Sequence, residues 1–295
     1  MRILFSSVPQ HGHLLPLFPL ARAFADRGHE VAVLTAEGMR PVVEQQGLRL
    51  LPAGPMPDAL FAEIGRRMGA DPAHDPRPDT VAEFFAGVRV DLSADEAFAV
   101  AEEFAPDLVV VEACDYVGPL VAAAAGVPVA TLMFGPPMPP PFTEAMEAMA
   151  QGRHEQRGLP AADRRWVLDT WPSSMTAEGW REPQGWLPLR PEAFRVPGEV
   201  SEKLPVSGRP RVLVTFGTYF GAPEKLSPLL RGLSEVDADI VVTLGLSTKP
   251  EEFDVDGGQV AFVGFTPLED LLDGVDVVVT HGGAYTLSLH DALPI

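Results

Sequence analysis

Four short stretches hold residue types suited to chemistry. The first is Gln10-His11-Gly12-His13-Leu14-Leu15-Pro16. Gly12 permits a tight turn, and His13 falls where a helix is expected to start. The positive end of a helix dipole disfavours imidazolium and favours the neutral ring. A neutral imidazole beside a substrate is a general base, although a lone histidine there also suits capping or packing. The second is Glu112, at the end of the run Leu108-Val109-Val110-Val111. From the carboxyl edge of a parallel sheet its carboxylate can accept a hydrogen bond from Nδ1–H of His13, orient the ring and stabilise the imidazolium. A strand-end acid facing water is the plain alternative, and Asp115 is a rival partner. The candidate catalytic pair is His13 and Glu112.

The third stretch is Thr215-Phe216-Gly217-Thr218. Gly217 allows close approach of the backbone, and the Thr218 hydroxyl can donate to a phosphate oxygen. Alone this is weak, because Gly-Thr after a strand is a common turn. The fourth is Thr280-His281-Gly282-Gly283, after an expected strand and before an expected helix. Backbone N–H groups of such glycines cradle a diphosphate, and His281 adds a hydrogen bond. The same glycines also suit a simple turn. A dinucleotide-binding turn wants G-x-G-x-x-G. Pro9-Gln10-His11-Gly12-His13 stands in its place, so no nicotinamide or flavin cofactor is expected.

The elements that must position these groups follow from hydrophobic spacing. Residues 2–8 read as a buried strand, 9–13 as a turn, 14–27 as a helix closed by Gly28, and 30–35 as a second strand. This is a right-handed βαβ unit. Strand, helix and strand return over 107–112, 115–125 and 127–133. Residues 56–95 and 136–186 are less regular and read as loops and helices at one edge of the sheet. Composition shifts near 185–204, where Trp186-Leu187-Pro188-Leu189-Arg190-Pro191 reads as a connector. The pattern then restarts: strands over 211–215, 240–244, 259–263 and 275–280, with helices over 223–234 and 267–272. The fold class is α/β, with two Rossmann-like doubly wound domains and a cleft between the carboxyl ends of their sheets. The expected boundaries are 1–190 for the first domain, 191–208 for a linker and 209–285 for a second, incomplete domain.

Bulk properties narrow the classes. The 295 residues are enough for two cores, and the 46% hydrophobic and 21% charged content is ordinary for a globular protein. A net charge of -19 disfavours nucleic-acid binding. Cys114 is the only cysteine, which rules out an intrachain disulfide and suits a reducing cytosol. The first residues carry no signal-peptide pattern, and the apolar region near 108–134 is broken by Glu112, Asp115, Gly126 and Pro128. A cytoplasmic protein without membrane insertion is expected, as a monomer or homodimer.

The ordered set of motifs resembles the bacterial glycosyltransferases that decorate antibiotics, in the UDP-glycosyltransferase superfamily. The matching stretches are Gly12-His13-Leu14-Leu15-Pro16, Arg27-Gly28-His29-Glu30-Val31, Pro106-Asp107-Leu108-Val109-Val110 with Gly118-Pro119-Leu120, Gly126-Val127-Pro128, Arg211–Thr218 and Thr280-His281-Gly282-Gly283-Ala284. The resemblance implies a GT-B fold and an inverting, metal-independent transfer. The donor would be a dTDP- or UDP-sugar and the acceptor a hydroxyl of an apolar aglycone. His13 would take the acceptor proton. Gly12, Gly217, Thr218, His281, Gly282 and Gly283 would serve the donor side. Phe265 falls where the family often has a tryptophan stacked on the base, though it also suits a core position, and Thr266 where backbone atoms read the base edge. Residues 56–85 and 134–149 are expected to line the acceptor pocket. A non-catalytic auxiliary protein and a sugar-nucleotide epimerase of the same fold are the alternatives.

Two features depart from the family. Glu112 stands where the family usually has Asp. After Ala284 the family continues into Gly-Thr, a helix and an acidic-Gln pair that binds the sugar, and this chain does not. Its last ten residues, Thr286-Leu287-Ser288-Leu289-His290-Asp291-Ala292-Leu293-Pro294-Ile295, resemble one translated frame of a sequencing-library adapter. Residues 286–295 are therefore expected to be a non-native tail, and the chain as written is expected to be inactive.

Overall fold

The computed structural model describes residues 1–70, 75–198, 208–217, 221–245, 248–255, 260–283, 286, 287 and 289. The chain divides into two compact units, Met1–Leu189 and Arg190–Ile295. Thr218, the start of the strand expected over 259–263 and most of the tail expected over 286–295 lie outside the described residues.

The first unit is built on a seven-stranded sheet of order β3-β2-β1-β4-β5-β6-β7, parallel at every pairing. Its strands are β1 (Arg2–Ser6), β2 (Glu30–Thr35), β3 (Arg49–Pro52), β4 (Leu108–Glu112), β5 (Val129–Met133), β6 (Arg164–Asp169) and β7 (Trp186–Pro188). Ile3, Leu4, Phe5, Val109, Val110 and Val111 are all fully buried. Burial of both faces explains why these central strands read as unbroken apolar runs rather than alternating ones. The winding reverses between β1 and β4, where Ser6 pairs with Val111. In an open α/β sheet the crevice at such a switch point is where ligands sit. The segments leaving β1 and β4 carry His13 and Glu112.

Residues 9–13 differ from the expected turn. Helix begins earlier, at His11–Leu14, tightens to a 3-10 turn at Leu15–Leu17 and resumes as Phe18–Asp26. Pro16 and Pro19 have no N–H to donate, so two α-type bonds cannot form along this path. His13 therefore sits in the first helical turn rather than ahead of it.

The regions expected to be irregular contain more regular structure than their composition suggests. Residues 56–104 form the helix Pro57–Met68, a short helix Pro78–Ala82, a π-helical turn Glu83–Val88 and a long helix Arg89–Phe104. Pro140–Gln156 is another helix. Charged residues join these helices to one another. Arg67 Nη1 lies 2.8 Å from both Glu83 Oε1 and Asp91 Oδ2, and Arg153 Nε lies 2.9 Å from Asp91 Oδ1. Trp186–Pro188, read as connector, is the sheet's edge strand, a place where proline is tolerated. Among the described residues no helix is long and apolar enough to cross a membrane.

The second unit has a four-stranded parallel sheet of order β10-β9-β8-β11. The strands are β8 (Arg211–Thr215), β9 (Asp239–Thr243), β10 (Val260–Val263) and β11 (Val277–Thr280), with the helices Pro223–Leu233 and Leu268–Leu272 between them. Its winding reverses between β8 and β11. Ala193 and Phe194 are buried in this unit, and Arg195 Nη2 lies 2.9 Å from Glu269 and 3.1 Å from Asp270. The start of the stretch expected to be a linker thus packs on the unit it precedes.

Candidate active site

Glu112 ends β4 and is completely buried. The N–H of Val8 donates to its Oε1 at 3.3 Å, and the N–H of Cys114 donates to its Oε2 at 2.6 Å. These two backbone donors fix the carboxylate's orientation. Its Oε2 stands 3.2 Å from Nδ1 of His13, whose side chain is 16% exposed. The contact is close but is not an aligned hydrogen bond. Bonds of this kind commonly tighten only when substrate is bound.

The His13 ring stands between two half-buried aromatic side chains. Phe85 lies 5.6 Å away by ring centroids at 47°, and Phe134 5.4 Å away edge-on at 74°. Phe85 comes from the π-helical turn, a geometry frequent at functional sites. Its neighbour Phe84 is buried in a separate cluster with Val8, Leu60 and Ile64.

Asp115, the rival partner, is committed elsewhere. It accepts from Ser6 Oγ at 2.6 Å and from the Gly118 N–H at 2.9 Å, and its Oδ1 is 3.6 Å from Nη2 of Arg89. Gly118 cannot be larger, since an added Cβ would come within 2.5 Å of Val111 and 2.8 Å of Ser6. Burial pushes the Asp115 carboxyl up; Arg89 opposes this, and the charge of Glu112 adds to it. Of the two acids, only Glu112 is placed against His13.

His13, Glu112 and Cys114 bring donor atoms within 4.8 Å of one another. Both Glu112 oxygens already accept backbone N–H groups, however. Burial pushes the Cys114 thiol well up, which opposes the thiolate a metal would need. The three groups converge on the buried Glu112 carboxylate.

In the second unit the loops after β8 and β11 meet. The Phe216 ring stacks on His281 at 5.7 Å and 26°. Gly217 has a φ of +66°, and a Cβ there would lie 3.3 Å from His281 Cε1; at Gly283 it would lie 2.9 Å away. The N–H of Gly282 donates to Thr280 Oγ1 at 3.3 Å. The glycines thus make room for one imidazole. Burial pushes His281 down, and a hydrogen bond to the Thr215 backbone opposes this.

Phe265 and Thr266 follow β10, two strands from β8, so they share the carboxyl edge but stand apart from His281. Phe265 is 47% exposed, with Phe194 at 6.0 Å, and is not a core residue. Thr266 Oγ1 donates to the Gly264 carbonyl at 3.2 Å. Gly12 has ordinary helical backbone, and an added Cβ would meet nothing within 4 Å, so no tight turn explains this glycine.

Sequence reasoning missed Arg89. The signal was present in Phe85-Ala86-Gly87-Val88-Arg89-Val90, one cation in an apolar run.

Comparison with known proteins agrees with this architecture. Residues 22–202 match the family described as Erythromycin biosynthesis protein CIII-like, N-terminal domain. The tylactone mycaminosyltransferase of Streptomyces fradiae is 30% identical over 97% of this chain and 73% of its own length. The 10-deoxymethynolide desosaminyltransferase of Streptomyces venezuelae is 26% identical over 100% of this chain and 79% of its own. Among solved structures, the glycosyltransferase SnogD from Streptomyces nogalater superposes with a TM-score of 0.80 at 30% identity, covering 98% of this chain and 78% of that one. A Streptomyces sp. SF2575 glycosyltransferase complexed with thymidine diphosphate gives 0.79 at 30% identity, with the same coverage. With more than half its length inside the matched domain and parallel sheets like those of its GT-B neighbours, the chain belongs to the erythromycin CIII-like glycosyltransferases.

Proposed function

We propose that this glycosyltransferase moves a sugar from a dTDP- or UDP-linked donor to a hydroxyl of an apolar small-molecule aglycone, with inversion and without a metal. The observation that carries the reading is the 3.2 Å approach of His13 Nδ1 to the fully buried Glu112 carboxylate at the switch point of the first sheet. With Nδ1 turned to Glu112, Nε2 is the nitrogen left for the acceptor. It takes the hydroxyl proton as the oxygen attacks the anomeric carbon. The new C–O bond forms as the bond to the diphosphate breaks, and the leaving electron pair goes to the diphosphate. Glu112 stabilises the imidazolium that results. His281 and the N–H groups of Gly282 and Gly283, with Gly217 and Thr218, are assigned to the leaving diphosphate, a charge-stabilising role that a metal fills elsewhere. Gly12 is assigned to the donor side as bare backbone, and Phe265 and Thr266 to the base. The aromatic walls Phe85 and Phe134 favour an apolar acceptor. A thymidine-diphosphate complex of a structural neighbour supports the donor class.

The test uses protein expressed from the full genomic reading frame, a panel of sugar nucleotides and phenolic or macrolide acceptors. Loss of general-base action in H13A should lower turnover roughly 10²–10⁴-fold. Full turnover in H13A would instead favour an auxiliary protein without a catalytic base. A donor converted without any transferred product would favour an epimerase. A product of retained anomeric configuration, or loss of transfer on chelation, would sink inversion or metal independence.

A further inference from the structure

Arg89 is 1% exposed, and a cation so deep must be paired. Its Nη1 donates to Ser93 Oγ at 2.9 Å and its Nη2 to the Ser7 carbonyl at 2.8 Å. The same Nη2 stands 3.6 Å from Asp115 Oδ1. Its Nε has no hydrogen-bond partner among the described residues. The same peptide group ends in the Val8 N–H, which Glu112 holds. Arg89 and Glu112 therefore grip the two sides of the loop that leads from β1 to His13. The pocket contains two fully buried acids, Glu112 and Asp115, and one buried cation. The charge of Glu112 disfavours ionisation of Asp115, and the charge of Arg89 favours it.

We propose that Arg89 is a positioning residue for the His13–Glu112 pair, whose single charge offsets the two buried carboxylates and whose bond to Ser7 holds the His13 loop. The proposal rests on the reading of His13 as the base. The ionisable groups facing Glu112 are His13 from the first helix, Cys114 and Asp115 from the turn after β4, and Arg89 from Arg89–Phe104. Burial pushes Asp115 up and Arg89 down, and the opposite charge of each works against the other's shift.

The experiment reads the His13 imidazole pKa by NMR of histidine-labelled chain, with the resonance assigned by its loss in H13A. E112Q should lower that pKa by about one unit, since an opposite charge beside the ring is removed. R89M should lower it as well, because the two acids then share one proton and Glu112 is partly neutralised. R89K should keep the wild-type value. R89M/D115N should return to it, since no second acid then competes with Glu112, which keeps its two backbone N–H donors. A pKa in R89M that is unchanged or raised would show Glu112 ionised without Arg89 and overturn the proposal. If R89M does not fold, the double variant decides. Folding with a wild-type His13 pKa supports charge balance, and failure to fold shows a packing role instead. Full transfer by H13A would sink the base assignment while leaving this titration result standing.

Discussion

The N–H of Val8 donates to Glu112 Oε1 at 3.3 Å, which fastens the loop leaving β1 to the end of β4. Glu112 thus has two duties. It faces the His13 ring and it closes a gap between adjacent strands. E112Q separates them. The amide keeps the shape and can still accept from Val8, but it places an N–H₂ or a weaker acceptor where the Cys114 N–H now donates at 2.6 Å. Turnover is expected to fall about 10²-fold, the lower range for a lost acid–base contribution. Stability should fall by roughly 1–3 kcal/mol if a buried donor loses its partner. Initial rates and urea unfolding of the same preparation check both. An unchanged rate with reduced stability would leave Glu112 a purely structural role.

How much of this was legible beforehand depended on locality. β2 and β8 were readable to the residue, because a short β-branched run bounded by polar residues has few other fates. That His13 and Glu112 share one sheet edge was also readable, since Glu112 ends β4, His13 lies in the segment after β1 and the two strands are parallel. Arg89 was not. It is about 80 residues from Ser7 in sequence, and only the packing of Arg89–Phe104 against the sheet brings the two within 2.8 Å. Helices were expected between 56 and 95, but their bounds were not readable, because their charged residues pair between helices that are apart in sequence. Glu112 against Asp115 could not be resolved by spacing, because three residues of turn decide which carboxylate faces His13 and which faces Ser6.

The glycines around His281 give a second prediction. Gly217 sits at φ +66°, a backbone region that costs a non-glycine residue roughly 1–2 kcal/mol. Gly283 has no positive φ, yet a Cβ there would lie 2.9 Å from the His281 ring. G217A should therefore lower stability by about 1 kcal/mol. G283A should mainly displace the imidazole, raising the KM for the sugar nucleotide roughly tenfold, about 1.4 kcal/mol, with little change in melting temperature. Donor-dependent kinetics with thermal denaturation distinguishes the two. Equal loss of stability in both variants would mean that Gly283 serves the fold and not the ring.

Phe134 and Phe85 wall the His13 ring at 5.4 and 5.6 Å, and both are half-buried. They differ in what else they hold. Phe85 also meets Phe84 edge-on at 4.8 Å and belongs to the π-helical turn, so its truncation disturbs that turn. Phe134 follows the last residue of β5 and lacks that support. An aromatic pair contributes about 0.5–1.5 kcal/mol beyond area burial, so F134A removes lateral support from the base as well as one wall of the proposed acceptor site. The expected result is a rise of roughly tenfold in acceptor KM, a smaller fall in kcat and an unchanged donor KM. F134L should recover most of the acceptor KM but less of kcat, because leucine restores apolar area without the edge-on ring. F85A should add a loss of stability that F134A does not show. Steady-state kinetics varying each substrate in turn, with melting temperatures for all three variants, tests this. A change confined to the donor KM would remove both phenylalanines from the acceptor side.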